Sequence, residues 1–209
     1  MIAPLLLAAG VASAAFRSAF PEASLIESPD SGRLRSASGF SAKGLGSTPE
    51  AAARAFLAQY GAAFGIVPPF ELVTLSAPPA GQPGAVRFER RIVGLPVFEG
   101  DLTAGVDAEN TIILVNTADV PPVVKGKAAL SRAAAIRAAK RAIPNLQTDD
   151  QPRAERGFKA FLGVVRPVWR VEFAARRPPG DFRSDVDAQT GKVLLRVNLR
   201  ESGVGLPGR

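Results

Sequence analysis

Neither cysteine nor histidine occurs among the 209 residues, and methionine, tryptophan and tyrosine occur once each. Without cysteine there is no disulfide framework and no thiolate metal site. Without histidine the chain cannot assemble an HExxH zinc centre, a Ser-His-Asp triad or a Cys-His dyad. Long apolar runs are missing too: the stretch from Ile2 to Ala15 is shorter than the roughly 20 residues that a bilayer-spanning helix needs, so no stable membrane insertion is expected. Chemistry built on carboxylate pairs or on lysine survives these exclusions.

What remains is the composition of a folded protein, 46% hydrophobic and 22% charged, with room for one large domain or two small ones. The 26 Lys and Arg outnumber the 19 Asp and Glu for a formal charge of +7, and the pI is near 10.5. That balance invites a nucleic-acid or anionic-polymer partner. Against it, the arginines run along the whole chain with acidic residues between them, whereas nucleic-acid binders concentrate charge on one face. No nucleic acid is therefore expected.

Residues 1–15 read as an export signal. Leu5-Leu6-Leu7 is followed by small residues and by Ala12-Ser13-Ala14, a small-x-small arrangement suited to signal peptidase, although no Lys or Arg precedes the apolar run. The mature chain is expected to begin at Ala15 or Phe16, in a secreted or periplasmic setting. Residues 16–47, rich in Ser, Gly and Arg, show no sustained period and read as an irregular leader with one short strand.

From residue 48 the patterns sharpen. Thr48 can cap, Pro49 suits the first helical position, and Ala53, Phe56, Leu57, Tyr60 and Phe64 share one helical face, with Gly65 placed to end it. After a turn at 78–84, Val86, Phe88, Arg90 and Ile92 alternate with Arg87, Glu89 and Arg91. Val97-Phe98, then Leu102, Ala104 and Val106, then 111–117 continue an antiparallel meander around a polar turn at 107–110. Pro121-Pro122 and Lys125-Gly126-Lys127 read as a linker spanning 121–130. Ser131 then caps a second helix that carries Ile136, Ala139 and Ile143 inward, and Pro144 closes it. A polar loop over 147–156 precedes strands at 158–165, 168–174, 182–187 and 192–198. Helix-then-strands, twice, predicts an α+β fold of two small modules, at 48–120 and 131–198, each a helix packed on an antiparallel sheet in a cystatin-like manner. Residues 199–209 read as a flexible tail.

Neither phosphate-cradling glycine motif is present, as GxGxxG and GxxxxGK[ST] are both missing. Asp149-Asp150 lies in a proline-flanked loop and reads as solvated. Asp185, Asp187 and Gln189 alternate oxygen ligands but lack the glycine and glutamate of a calcium loop, so they read as a turn. Trp169, in alternation with Val171 and Phe173, reads as a core or interface anchor. No catalytic, cofactor-binding or metal-ligating residue is named, and no cofactor is expected.

Three stretches, taken in order, resemble a known family. Thr48-Pro49-Glu50-Ala51-Ala52-Ala53-Arg54-Ala55-Phe56-Leu57 and the run from Val86 to Phe98, with its Gly94-Leu95-Pro96-Val97 core, are similar to the fungalysin/thermolysin propeptide (FTP) domain. Trp169-Arg170-Val171-Glu172-Phe173 and the run from Val186 to Val193, with Asp187-Ala188-Gln189-Thr190-Gly191, look like the end of a PepSY domain. The resemblance covers residues 48–198 and implies a non-catalytic prosegment: an intramolecular chaperone and inhibitor of a secreted zinc metallopeptidase, whose catalytic domain would be the partner, fused in the precursor or in trans. No peptidase domain lies within these 209 residues. The family usually carries Gln where this chain has Arg90, and an aromatic residue at Ile92.

Overall fold

The computed structural model describes residues 3–201. The chain divides into two compact units, Met1–Pro122 and Val123–Arg209. Each is a mixed helix-and-sheet structure dominated by antiparallel strands, so the α+β prediction holds.

In the first unit, helices α1 (Ala3–Ala19) and α2 (Pro49–Tyr60) accompany strands β1 (Ser24–Glu27), β2 (Leu34–Ala42), β3 (Glu71–Ser76), β4 (Gly84–Ile92), β5 (Leu95–Phe98), β6 (Leu102–Val106) and β7 (Ile112–Thr117). The sheet runs β1-β2-β7-β6-β4-β5, and β3 also pairs with β4. Helix α2 begins as its sequence dictates: the Thr48 hydroxyl accepts the Ala51 amide at 3.2 Å, and Pro49 occupies the first turn, where a missing N–H costs nothing. A single 3-10 turn, Gly61–Phe64, tightens its end, and Gly65 terminates it at φ 71°. Ala52, Ala53, Phe56 and Leu57 are buried against the sheet residues Val86, Phe88, Leu102, Ala104 and Val115.

The expected irregular leader over 16–47 is instead structured and central. Phe16, at the end of α1, is fully buried, with ring centroids of Phe20, Phe40, Phe56, Tyr60 and Phe64 between 5.0 and 6.2 Å away. Helix α1 passes through position 15 without a break, and the buried Ser13 hydroxyl donates to the Gly32 carbonyl at 3.1 Å. Strand β2 escaped the period-two test because its buried residues Leu34, Ala37 and Phe40 recur every third position, and alternation returns only at Ala42. Its pairing with β7 slips between Ser38 and Ala42, and Gly39 sits at φ 73°.

The second unit holds α3 (Arg132–Arg141) and a four-stranded meander, β8 (Arg153–Phe161), β9 (Val164–Ala175), β10 (Gly180–Asp187) and β11 (Val193–Asn198). Ser131 caps α3, its hydroxyl accepting the Ala134 amide. Ala135, Ala139 and Ile143 pack on Val171, Phe173, Phe182 and Val186. Trp169 lies half-buried at the edge of this core with its indole N–H donating to the Leu130 carbonyl at 2.9 Å, as an anchor should.

Several sequence boundaries change: β8 begins at Arg153, inside the polar loop expected over 147–156, and β3 is a strand that the sequence pattern did not single out. The strand expected at 158–165 is a hairpin, because Leu162 and Gly163 both adopt positive φ (49° and 74°) and reverse the chain. The linker expected at 121–130 belongs to the second unit from Val123 onward: Lys125 donates its amide to the Val165 carbonyl, and Ala129 and Leu130 both donate to that of Ala188. The tail expected at 199–209 starts docked, with Leu199 buried and its amide on the Asp181 carbonyl at 2.7 Å; residues 202–209 lie outside the described residues, as do Met1 and Ile2 of the export signal.

Because five rings converge on Phe16, we expect Phe16→Ala to lower the unfolding free energy of the first unit by about 3–5 kcal/mol, measured by urea denaturation. Thr48→Ala should cost only about 1 kcal/mol in the same assay.

Candidate functional site

Strand alternation places Arg90 on the inner face of β4 between Phe88 and Ile92, and its side chain is wholly buried. Nη2 donates to the Phe64 carbonyl at 3.2 Å, to Thr117 Oγ1 at 2.5 Å and to the Ala118 carbonyl at 3.3 Å, while the guanidinium lies 5.4 Å from the Phe70 ring centroid. Burial, and then the charge of Arg33, push its pKa down to about 10, with Asp119 acting in the opposite sense. Arg90 thus closes the end of the first core, tying the Gly61–Phe64 turn to the strand that follows β6. Both positions at which the chain departs from the pattern it resembles, Arg90 and Ile92, are therefore internal.

Asp119 is a second interior junction. Its carboxylate accepts both Arg33 Nε and Nη2, at 2.9 and 2.6 Å, and the hydroxyls of Ser28 and Ser31. In the second unit, the face of β9 and β10 turned away from α3 carries opposed charges in register: Arg170 pairs with Asp185, and Glu172 with Arg183. Asp185 is fully buried, held bidentately by Arg170 at 2.8 and 3.0 Å and by Lys159 at 3.0 Å. Burial alone would raise the Asp119 and Asp185 carboxyls. The donors around each outweigh it and hold both below the ordinary carboxylate range.

The residues weighed as possible ligands are engaged in structure. Asp187 Oδ1 accepts the amides of Gln189 and Thr190, closing the β10–β11 turn, so the turn reading stands. Asp149 is exposed and pairs with Arg176, as a solvated residue would. Asp150 is not simply solvated: its Oδ2 accepts the Ala174 amide at 2.8 Å. Among the described residues, no group of three or more Asp or Glu is placed to hold a metal ion.

Surfaces suited to a macromolecular partner lie elsewhere. Two-residue turns join β4 to β5 (Val93 φ 50°, Gly94 φ 72°) and β8 to β9 at Leu162-Gly163. The first residue of each favours Asn or Asp, which tolerate the left-handed region, yet here it is an apolar side chain, 83% exposed at Val93 and 84% at Leu162. Neither side chain stabilises the unit that carries it, and the β-branched Val93 is strained besides. A shallow groove of about 290 Å³ beside α2, lined by Leu57, Ile66, Val67, Phe70 and Leu72, adds apolar surface to the first unit. In the sequence Gly94 was singled out through the resemblance, and Gly163 was passed over. The signal was an X-Gly pair bounded by alternating runs.

The division into units also separates the charges. Residues 1–122 hold 8 Lys and Arg against 11 Asp and Glu, a net −3, and residues 123–209 hold 18 against 8, a net +10. The basic character of the chain is confined to its second unit, so the expectation that the arginines run along the whole chain with acidic residues between them does not hold there.

No protein-family model matches the sequence, and no curated protein is similar to it. Among solved structures the chain is similar to the Bacillus megaterium YpeB C-terminal domain, at 13% identity and a TM-score of 0.33, over 90% of this chain and 96% of that one.

Two outcomes follow from this geometry. The carboxyls of Asp119 and Asp185 contribute stability that is complete above the ordinary carboxylate range and is lost as pH falls through their lowered folded values. Asp185→Asn should cost about 3 kcal/mol at neutral pH and shrink the loss of stability between pH 5 and pH 2 in thermal melts. Val93→Asn should raise stability by up to about 1 kcal/mol by relieving backbone strain, read in the same melts.

Proposed function

We propose that this chain is a non-catalytic prosegment that assists the folding of a secreted zinc metallopeptidase and inhibits it, reaching the extracytoplasmic space through an export signal at residues 1–15. The single observation that carries this reading is the coincidence of the ordered motif set with matching structural elements. The first motif is the capped helix α2. The second is the β4–β5 hairpin, whose tip presents Val93. The third is β9 followed by the β10–β11 hairpin, where Asp187 closes the turn through the amides of Gln189 and Thr190. Two compact helix-on-sheet units in this order suit a protein that works by contact, and the exposed apolar tips at Val93 and Leu162 give it points of attachment.

In a fused precursor, tethering supplies a high effective concentration, so modest contacts at such tips suffice for inhibition. In trans the docking would need an interface on the order of 1,600 Å². Cleavage before Phe16 would keep the Phe16 side chain in the mature protein but remove α1 up to residue 15, including Ser13 and its bond to the Gly32 carbonyl.

The test is refolding of thermolysin-like and fungalysin-like catalytic domains from denaturant, each with and without an equimolar amount of this chain. The reading expects a higher yield of folded peptidase together with suppressed activity for at least one of them, and weaker suppression by Val93→Asn. Identical yields and activities across all of them would overturn it. Amino-terminal sequencing of the exported chain should begin at Ala15 or Phe16.

A further inference from the structure

Independently of the prosegment reading, the distribution of charge in the second unit singles out one end of α3. Arg137, Lys140 and Arg141 fall at i, i+3 and i+4, so they neighbour one another on one side of the helix, about 5–6 Å apart at Cβ. Helix α3 contains four cations and no Asp or Glu, and none of these three is paired with a carboxylate among the described residues. A fourth cation joins them from β11: the exposed Arg196 donates from Nη1 to the Ala142 carbonyl at the C-terminal cap of α3. On the β9–β10 face of the same unit, by contrast, cations are neutralised in register, as Arg170 is by Asp185 and Arg183 by Glu172. Here four meet without a counter-charge. The helix dipole favours Lys140 and Arg141 in the last turn, but like charges at i and i+4 still repel.

We propose that Arg137, Lys140, Arg141 and Arg196 form a binding site for a linear anionic polysaccharide, a polymer of carboxylate or sulfate groups. Its regularly spaced anions would relieve the mutual repulsion of the four cations. The other two polyanions fit the surface less well. Stacking of unpaired bases needs exposed aromatic rings, and none of the described aromatic residues of this unit is exposed; Trp169 is half-buried, with Arg156 over its ring at 5.8 Å. Seating in an anionic bilayer needs large apolar side chains beside the cations, and the exposed positions of α3 hold only Arg132, Ala133, Arg137 and Arg141. Guanidinium forks on a helix flanked by small alanines suit a chain of carboxylate or sulfate groups passing over the surface.

The experiment uses the whole chain and four probes: polygalacturonate, heparin, a 20-base-pair DNA duplex and vesicles containing phosphatidylglycerol, all at about 0.15 M salt. The site predicts binding of one or both polysaccharides that weakens at least tenfold in Arg137→Glu/Lys140→Glu/Arg141→Glu. Arg141→Glu alone should weaken it more than Arg35→Glu, an equal charge change on the exposed surface of the first unit. Thermal melts establish that the variants remain folded, and the single reversals stand in if the triple variant does not. Equal losses from Arg141→Glu and Arg35→Glu would mean that net charge alone drives binding, and would overturn the site. Failure to bind either polysaccharide overturns it as well. Tighter binding of the duplex or of the vesicles than of both polysaccharides would assign the surface to nucleic acid or to membrane instead. None of these outcomes depends on a peptidase, so the two readings stand or fall separately.

Discussion

The first unit is organised around one side chain. Phe16 reaches from the amino-terminal helix into the space between α2 and β2, and its ring meets five others contributed by four different segments. Burying a phenylalanine there is worth a few kcal/mol from area alone, and the edge-to-face contacts with Phe40, Phe56, Tyr60 and Phe64 add to it. Without that ring, α2 would cover the sheet with its apolar face only partly filled. Arg90 closes the same core at its other end, where three backbone and side-chain oxygens and the Phe70 ring take the place of a counter-ion. An aromatic hub and a buried cation thus divide the work of fixing the helix, the 3-10 turn and the sheet in one arrangement.

The second unit relies on a different balance. Its apolar core is small: Ala135 and Ala139 of α3 and Ile143 just beyond it, against five residues of the sheet. The opposite face compensates with charges placed in register, so that Asp185 is buried at no net loss only because Arg170 and Lys159 both reach it. This makes the unit sensitive to acid. It also sets the cluster of cations at the end of α3 apart from the β9–β10 face, where charges are neutralised within a strand spacing.

The features proposed to meet a partner lie where folding stability has nothing to gain. Val93 and Leu162 occupy positions at which Asn or Asp would relax the backbone, and both expose apolar surface to water. Arg137, Lys140 and Arg141 repel one another. Each is a local conflict in a chain whose caps, turns and alternations otherwise agree with the fold, and it is on such conflicts that both proposals are placed.

Whatever depends on near neighbours was legible in the sequence alone. The Thr48 and Ser131 caps, the apolar face of α2, the alternation of β4, β6 and β9, the Asp187 turn and the α+β order all follow from spacings of two to four residues, which the backbone period imposes directly. Only the tertiary structure decided that residues 16–47 are core rather than leader, because β2 bulges out of its period and Phe16 finds its partners up to 48 residues away. The same holds for Arg90, whose place among apolar residues on β4 could be read but whose acceptors at Phe64, Thr117 and Ala118 could not. The segregation of charge is of the other kind: the cations crowd into the last 87 residues of the sequence itself, and the structure adds only where the boundary between the two units falls.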